Sequence, residues 1–294
     1  MIAAICGVFG ELLNFLYNLF GQNYGFALIG FTLVVNLILL PLTLKQQKST
    51  TMMQAIQPEL TRLQEKYKND KEKLNVELMK LYQNNNINPM SGCLPLLIQL
   101  PIILILYQVI IKPLSYMQGL TAAQIAELQN LVGSSGEAVM QVSLAADAAK
   151  LGAEKLATLS FEFTPIHFNF FGLDLGATPS ISHPNLLWLI PILAGVTTYA
   201  LTWLTTSQAN AKKTEEQKKK EKDNPTATQM QTMNKIMPLI TVWFAFTFAA
   251  GIGFYWIMNN IFKMIQQVVV NQLLKKEGPV VIDATKDTKK KKKK

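Results

Sequence analysis

The sequence is short of charged residues. Only 16% of its 294 residues are Asp, Glu, Lys or Arg, whereas soluble domains carry about 25%. Hydrophobic residues make up 49% of the chain, and the mean hydropathy is +0.19. This small number of charged groups cannot cover a surface that faces water. The composition therefore excludes an ordinary soluble enzyme and a disordered tail protein.

Residues that commonly build metal, redox and catalytic sites are also scarce. The chain has two cysteines, Cys6 and Cys93, and two histidines, His167 and His183. This number and spacing exclude a disulfide scaffold and the usual zinc or haem patterns. No phosphate-binding loop, nucleophile elbow or H-E-x-x-H helix is present. We therefore predict a protein without catalytic residues, metal or cofactor. Lipidation at Cys6 is disfavoured because Ile5 precedes it where a small residue is expected.

Four stretches of the chain contain no Asp, Glu, Lys or Arg. A membrane-spanning helix needs about 20 mostly apolar residues, and each stretch is long enough to form one. The stretches are 26–44, 93–111, 175–211 and 236–262. Because they also lack buried carboxylates, a proton relay through the membrane is not expected.

The charges that are present divide the chain into basic and acidic segments. Residues 45–90 carry eight basic and five acidic side chains, and 207–235 carry seven and four. Residues 113–183 carry two basic and six acidic side chains. Basic loops stay in the cytoplasm, so the pattern predicts an extracellular N-terminus and two cytoplasmic loops.

The last uncharged stretch decides the number of spans. It covers 27 residues, which form about 40 Å of helix, and one tilted span is possible. A turn at Gly251-Ile252-Gly253 would instead give two spans and return the Lys-rich tail to the cytoplasm. We predict an all-α integral membrane protein with five transmembrane helices, at about 26–44, 93–111, 185–206, 236–250 and 254–274.

The segments outside the predicted spans have distinct characters. Residues 1–22 predict an extracellular interfacial amphipathic helix, with a signal-like start as the alternative. Apolar residues at helical spacing predict a cytoplasmic helical hairpin at 45–90, either merely solvated or a docking surface. The remaining segments are an extracellular loop at 113–184, a cytoplasmic loop at 207–235 and a basic cytoplasmic tail at 275–294. The predicted five-span core covers 23–274 and includes the hairpin and the two loops between its spans.

Polar side chains within the predicted spans are the candidate functional residues, because such groups are costly at membrane depth. In the predicted topology most lie at mid-depth or in the inner half, which favours one wet cavity open to the cytoplasm. Thr hydroxyls often bond their own helix, amides can join helices, and a lysine can extend toward the interface. The candidates are Thr32, Asn36, Gln99, Tyr255, Asn259 and Lys263.

Several motifs resemble those of the YidC/Oxa/Alb membrane protein insertases. The most specific is GCLPLLIQLP at 92–101, with VNLILLPL at 35–42, FGLDL at 171–175 and GFYWIMNN at 253–260. The resemblance covers about residues 10–275. It implies a membrane protein insertase and chaperone whose hydrophilic groove is open to cytoplasm and lipid. It also implies a multi-pass protein of the bacterial cell membrane.

The resemblance carries further implications for partners and site residues. The implied partners are nascent membrane proteins, the Sec translocon and, through the basic tail, the ribosome. The basic segments also suit anionic lipids, and we expect a monomer to function. Thr32 and Tyr255 match groove positions of the family, and Trp256 stands where a second aromatic is common. Asn36 replaces the arginine usual in this family, so we hypothesise that Lys263 supplies the positive charge. Preference for neutral clients is the alternative.

Two other functions remain open from the residues alone. A small-solute transporter or channel is one, although inverted repeats and an acidic ion site are not evident. A non-catalytic assembly factor that docks on membrane complexes is the other. It predicts that the polar residues within the spans are dispensable while the cytoplasmic hairpin is not.

Overall fold

A computed structural model describes residues 2–85, 94–133, 141–210 and 225–276, and these residues are predominantly helical. The end of the predicted hairpin, part of the predicted second cytoplasmic loop and most of the predicted basic tail lie outside the described residues. The helices are α1 (Ile2–Leu19), α2 (Tyr24–Lys66), α3 (Lys71–Asn84), α4 (Leu94–Ile111), α5 (Pro113–Tyr116), α6 (Ala122–Val132), α7 (Gln141–Ala148), α8 (Ala153–Leu156), α9 (Leu189–Asn210), α10 (Pro225–Thr247) and α11 (Ala250–Lys276). A two-stranded antiparallel hairpin, β1 (Asn169–Phe170) and β2 (Leu173–Asp174), and a 3₁₀ turn (Leu186–Trp188) precede α9.

The chain forms two compact units. The first comprises Met1–Ile38, Leu100–Leu201 and Lys235–Lys263, and the second comprises Leu39–Gln99, Thr202–Asn234 and Met264–Lys294. Five helices contribute residues to both units, namely α2, α4, α9, α10 and α11. Each unit is described separately below.

Two of the described helices are long and apolar enough to cross a membrane. They cover Tyr24–Met53 and Leu186–Gln208, while Ala3–Leu19 and Pro101–Ile111 are shorter apolar helices. Only 28% of the most apolar window in each candidate span is buried. A core helix of a soluble protein would be mostly buried, so these exposed apolar surfaces are typical of helices that face lipid.

The helix that contains the first predicted span is longer than the sequence pattern indicates. The pattern places the end of the span near Leu44, but α2 continues to Lys66 with Pro41 and Pro58 inside it. Proline removes one backbone hydrogen bond and need not end a helix when the surrounding turns are retained. The first arm of the hairpin is therefore the continuation of α2.

The end of α2 packs against α3 in the second unit. Ile56 and Leu60 are buried there, and the hydrophobic side chains packed against them include Leu78, Leu81 and Tyr82. The helical spacing of the sequence places these residues on the apolar faces of the two predicted hairpin helices. Asp70 caps α3 by accepting a hydrogen bond from the Lys73 amide at 3.0 Å.

Helices α10 and α11 meet at a break that lies before the predicted turn. Helix α10 ends at Thr247 and α11 begins at Ala250, so Gly251 and Gly253 lie in the first turn of α11. A Cβ atom at Gly253 would lie 2.6 Å from Cγ2 of Ile190. The glycine therefore permits close packing on the start of α9 and does not form the turn.

Helix α1 packs in the first unit through one face. Its buried side chains are Cys6, Leu13, Leu16 and Tyr17. The Tyr17 hydroxyl accepts a hydrogen bond from the His167 amide at 2.9 Å. At Gly10, a Cβ atom would lie 2.0 Å from the carbonyl oxygen of Tyr116, so only glycine allows this approach to α5.

The segment between α4 and α9 folds into short helices with an apolar core. Leu114, Leu128, Val142 and Leu144 are buried, although the sequence shows only weak helical periodicity there. The Ser160 hydroxyl and amide both donate to the carboxylate of Glu127 at 2.6 Å. These hydrogen bonds, the hydroxyl's foremost, lower the pKa of Glu127.

The β-hairpin connects this segment to the start of α11. The amides of Ala250 and Gly251 donate to the carbonyl oxygens of Ala177 and Leu175, both at 2.8 Å. The first amides of a helix have no partner within it, so the backbone just after β2 caps α11.

Candidate functional site

Two asparagines join α2 to α11 in the first unit. The Nδ2 of Asn36 donates to the Oδ1 of Asn259 at 3.2 Å and to the carbonyl oxygen of Thr32 at 2.8 Å. Asn259 is buried, whereas Asn36 is only half-buried. The structure therefore brings together one predicted polar residue from each of these helices, in a predominantly apolar setting.

Thr32 lies one turn before Asn36 and is fully buried. Its hydroxyl donates to the carbonyl oxygen of Leu28 at 2.6 Å, within its own helix. A hydroxyl satisfied in this way adds little as a donor. In this structure the hydroxyl therefore serves the backbone of α2.

A second amide contact joins α11 to α9 and was not predicted. The Nδ2 of Asn260 donates to the hydroxyl oxygens of Thr197 at 3.2 Å and Thr198 at 2.9 Å. Asn259 and Asn260 are neighbours, and adjacent helical residues point in directions about 100° apart. Helix α11 thus presents one amide to α2 and the next to α9.

The other predicted residues occupy different surroundings. Tyr255 is buried one turn before Asn259, and Lys263 is half-buried one turn after it. The ring of Trp256 lies 6.2 Å from that of Phe244 in an edge-on contact. Gln99 lies within α4, but its side chain is outside the described residues.

The second unit contains a chain of three glutamine side chains that the sequence pattern did not reveal. Gln47 of α2 donates through Nε2 to the Oε1 of Gln267 in α11. Gln267 in turn donates to the Oε1 of Gln208 in α9 at 2.9 Å. The adjacent Gln266 has a buried Nε2 without a hydrogen-bond partner among the described residues.

The chemistry that these side chains offer is hydrogen bonding. Amides and hydroxyls both donate and accept, so they can replace water around a polar peptide segment. Among the described residues, no group of three His, Cys, Asp or Glu side chains is arranged to hold a metal ion. The polar groups therefore offer hydrogen-bond donors and acceptors within apolar helices.

Comparison with known families decides what kind of membrane protein this is. The family model described as "60Kd inner membrane protein" matches residues 15–277. This chain belongs to that family. Its membership and the two candidate spans together make it a membrane protein.

Curated relatives of the 60Kd inner membrane protein family are similar along most of the chain. A protein of Clostridium perfringens named membrane protein insertase YidC is 34% identical over 92% of this chain and 89% of its own length. A relative of the same name from Caldanaerobacter subterraneus is 30% identical, over 91% and 94%. Membrane protein insertase MisCA of Bacillus subtilis is 29% identical, over 88% and 75%. The resemblance inferred from the motifs is confirmed.

Proposed function

We propose that this protein inserts and helps to fold integral membrane proteins, as the names of its relatives indicate. The observation that supports this most directly is the hydrogen bond between Asn36 and Asn259. Two amides within apolar helices carry a desolvation cost, and Asn36 is only half-buried. A client's polar segment that hydrogen-bonds there crosses the membrane without losing all its polar contacts.

The proposal includes a detailed membrane arrangement. Five spans place the N-terminus outside and the C-terminus in the cytoplasm, with a hydrophilic groove open to cytoplasm and lipid. Thr32, Asn36, Gln99, Tyr255, Trp256, Asn259 and Lys263 form the client-binding residues of that groove. A client's apolar helix then moves into lipid beside the groove, and no covalent step takes place.

The proposed partners follow from the same arrangement. Nascent membrane proteins are the clients, received directly or from the Sec translocon. The hairpin at 45–90 receives clients, the basic tail at 275–294 contacts the ribosome, and the basic loops bind anionic lipids. One copy of the chain is sufficient for each insertion event.

Purified protein in liposomes should insert a single-span client without any other protein. Insertion is measured as protection of the client's translocated end from added protease, with empty liposomes as the control. A transporter or channel would instead give solute flux without client protection. An assembly factor would give neither, so either result would contradict the proposal.

Replacing Lys263 with glutamine should reduce insertion of a client with an acidic tail several-fold, since about 1 kcal/mol is expected for one partly screened charge near a membrane. The reason is that Lys263 lies one turn beyond Asn259 and is the proposed substitute for the family's arginine. A client identical except for Asn and Gln in place of its acidic residues is the control and should be unaffected. Equal insertion of the acidic client by both proteins would rule out this role for Lys263.

A further inference from the structure

An exposed phenylalanine lies at the tip of the β-hairpin in the first unit. Phe171 is 79% exposed, while its neighbour Phe170 is only 9% exposed. The Phe170 ring fills the hairpin's contact with the helices, at 5.2 Å from the ring of Phe26 and 5.1 Å from that of Phe254. Phe170 therefore fills this contact, while the Phe171 ring meets the Phe170 ring edge-on at 4.7 Å and leaves most of its apolar surface exposed.

The backbone at the tip is strained in a way that holds Phe171 outward. Phe171 has φ +50° and Gly172 has φ +84°. A positive φ is unfavourable for a bulky residue such as phenylalanine and persists only where its surroundings impose it. Here the Gly172 amide donates to the Oδ1 of Asn169 at 3.1 Å and closes the turn. Glycine, asparagine or aspartate would adopt this conformation more easily than phenylalanine.

The tip lies where both candidate membrane spans begin. The ring of Phe171 is 6.2 Å from that of Phe26, which is the third residue of the span Tyr24–Met53. A Cβ atom at Gly172 would lie 3.7 Å from the Cδ2 of Leu186, the first residue of the span Leu186–Gln208. The start of a transmembrane helix lies at the boundary between headgroups and acyl chains, so Phe171 lies at that boundary too.

Other apolar side chains continue the exposed surface toward the second span. Leu186 is 54% exposed, and Ile181, in the segment leading into the span, is 67% exposed. The indole of Trp188 donates to the carbonyl oxygen of Ser180 at 2.8 Å, which holds this segment against the first turn of the span. Aromatic and apolar groups next to a polar backbone are typical of the membrane interface.

We propose that Phe171, with Ile181 and Leu186, inserts into the bilayer interface at the membrane face where α2 and the 3₁₀ turn before α9 begin. The occupant of this surface is lipid, at the level of the headgroups and the first acyl carbons. The strained tip acts as an anchor that fixes the depth of the hairpin. Because the backbone just after β2 caps α11, the anchor also fixes the depth at which α11 begins.

The anchor is tested with an environment-sensitive fluorophore on the full-length protein. Cys6 and Cys93 are replaced by alanine, and single cysteines are introduced as Phe171→Cys or, as the matched control, Glu154→Cys. Glu154 is exposed on α8 in the same segment between α4 and α9. Each labelled protein is reconstituted into vesicles of phosphatidylethanolamine and phosphatidylglycerol, with nitroxide lipids labelled near the top of the acyl chain.

At position 171 we expect roughly threefold stronger quenching by the nitroxide lipids than at position 154, as insertion to the acyl boundary requires. Iodide in the buffer should quench the two positions in the opposite order. The proposal is wrong if iodide quenches both positions equally and the nitroxide lipids quench position 171 no more than position 154. These measurements need no client, so their outcome is separate from that of the insertion assay.

A photo-crosslinking residue tests whether lipid or protein covers the tip in cells. Benzoylphenylalanine at position 171 keeps an aromatic side chain there and reacts with neighbouring C–H bonds. We expect lipid adducts as the main product in membranes from cells that express the full chain. A protein adduct as the main product would overturn the proposal, because the tip would then be a protein-binding surface.

Discussion

Replacing Gly10 with alanine should destabilise the protein strongly. The added Cβ atom would lie 2.0 Å from the carbonyl oxygen and 2.4 Å from the carbonyl carbon of Tyr116. Both are backbone atoms, so no side-chain rotation relieves the overlap, and α1 must separate from α5. We expect a loss of about 3 kcal/mol, at the upper end of the usual cost of overpacking, or about 6 to 12 °C in the midpoint of thermal unfolding.

Gly7 provides a matched control for this substitution. It lies in the same helix, three residues earlier, and a Cβ atom there would meet nothing within 4 Å. Gly7→Ala should leave the unfolding midpoint unchanged or raise it slightly, because alanine favours helix over glycine. If Gly10→Ala and Gly7→Ala have equal midpoints in the same detergent, α1 does not pack on α5 as described.

Replacing Asn36 with leucine should reduce insertion of a single-span client in liposomes about tenfold, equivalent to about 1.4 kcal/mol. The substitution removes the donor that faces Asn259 and replaces the half-buried amide with an apolar surface. One amide hydrogen bond at membrane depth contributes about 1 to 2 kcal/mol in model peptides, so the loss of one such bond to the client gives an effect of this size.

Asn36→Arg introduces the residue that is usual in the family at this position. This variant should insert acidic clients better than neutral ones.

A double substitution separates a role in insertion from a role in joining the helices. Asn36→Leu alone leaves the buried Oδ1 of Asn259 without this donor, whereas Asn36→Leu with Asn259→Leu removes both polar groups. Replacing both partners by apolar groups is nearly neutral for stability, so the unfolding midpoint should recover in the double variant. Insertion should remain low, because neither amide is then available to bond the client.

Recovery of insertion together with stability would show that the pair only joins helices. The control for general effects of polarity is Thr241→Val in α10, where the hydroxyl donates to the Met237 carbonyl of its own helix at 3.0 Å. This variant should insert clients as the unmodified protein does.

From the sequence, Asn36 and Asn259 could each be predicted as candidate residues, because each is a polar residue on an apolar helix. The contact of Asn260 with Thr197 and Thr198 could not, since periodicity places Asn259 and Asn260 on different faces. A one-dimensional pattern shows which residues share a face and does not show which helix lies opposite. For the same reason it does not single out Gln267, which makes the contacts with α2 and α9.

The break between α10 and α11 shows a second limit of sequence reasoning. Two glycines close together are typical of a turn, but Gly251 and Gly253 serve close packing. A Cβ atom at Gly251 would lie 3.2 Å from the carbonyl oxygen of Leu175. The requirement comes from residues far away in the sequence, so no local signal distinguishes a glycine in a turn from a glycine under a neighbouring chain.

The backbone cap on α11 has a consequence for the order in which the chain folds. The acceptor carbonyls of Leu175 and Ala177 are synthesised more than 70 residues before the donor amides of Ala250 and Gly251. During synthesis both acceptor carbonyls therefore exist before α11 emerges, although Phe170 can pack on Phe254 only once α11 is present. Acceptors for the first amides of this helix offset part of the cost of forming its first turn, which is the unfavourable step for a helix in isolation.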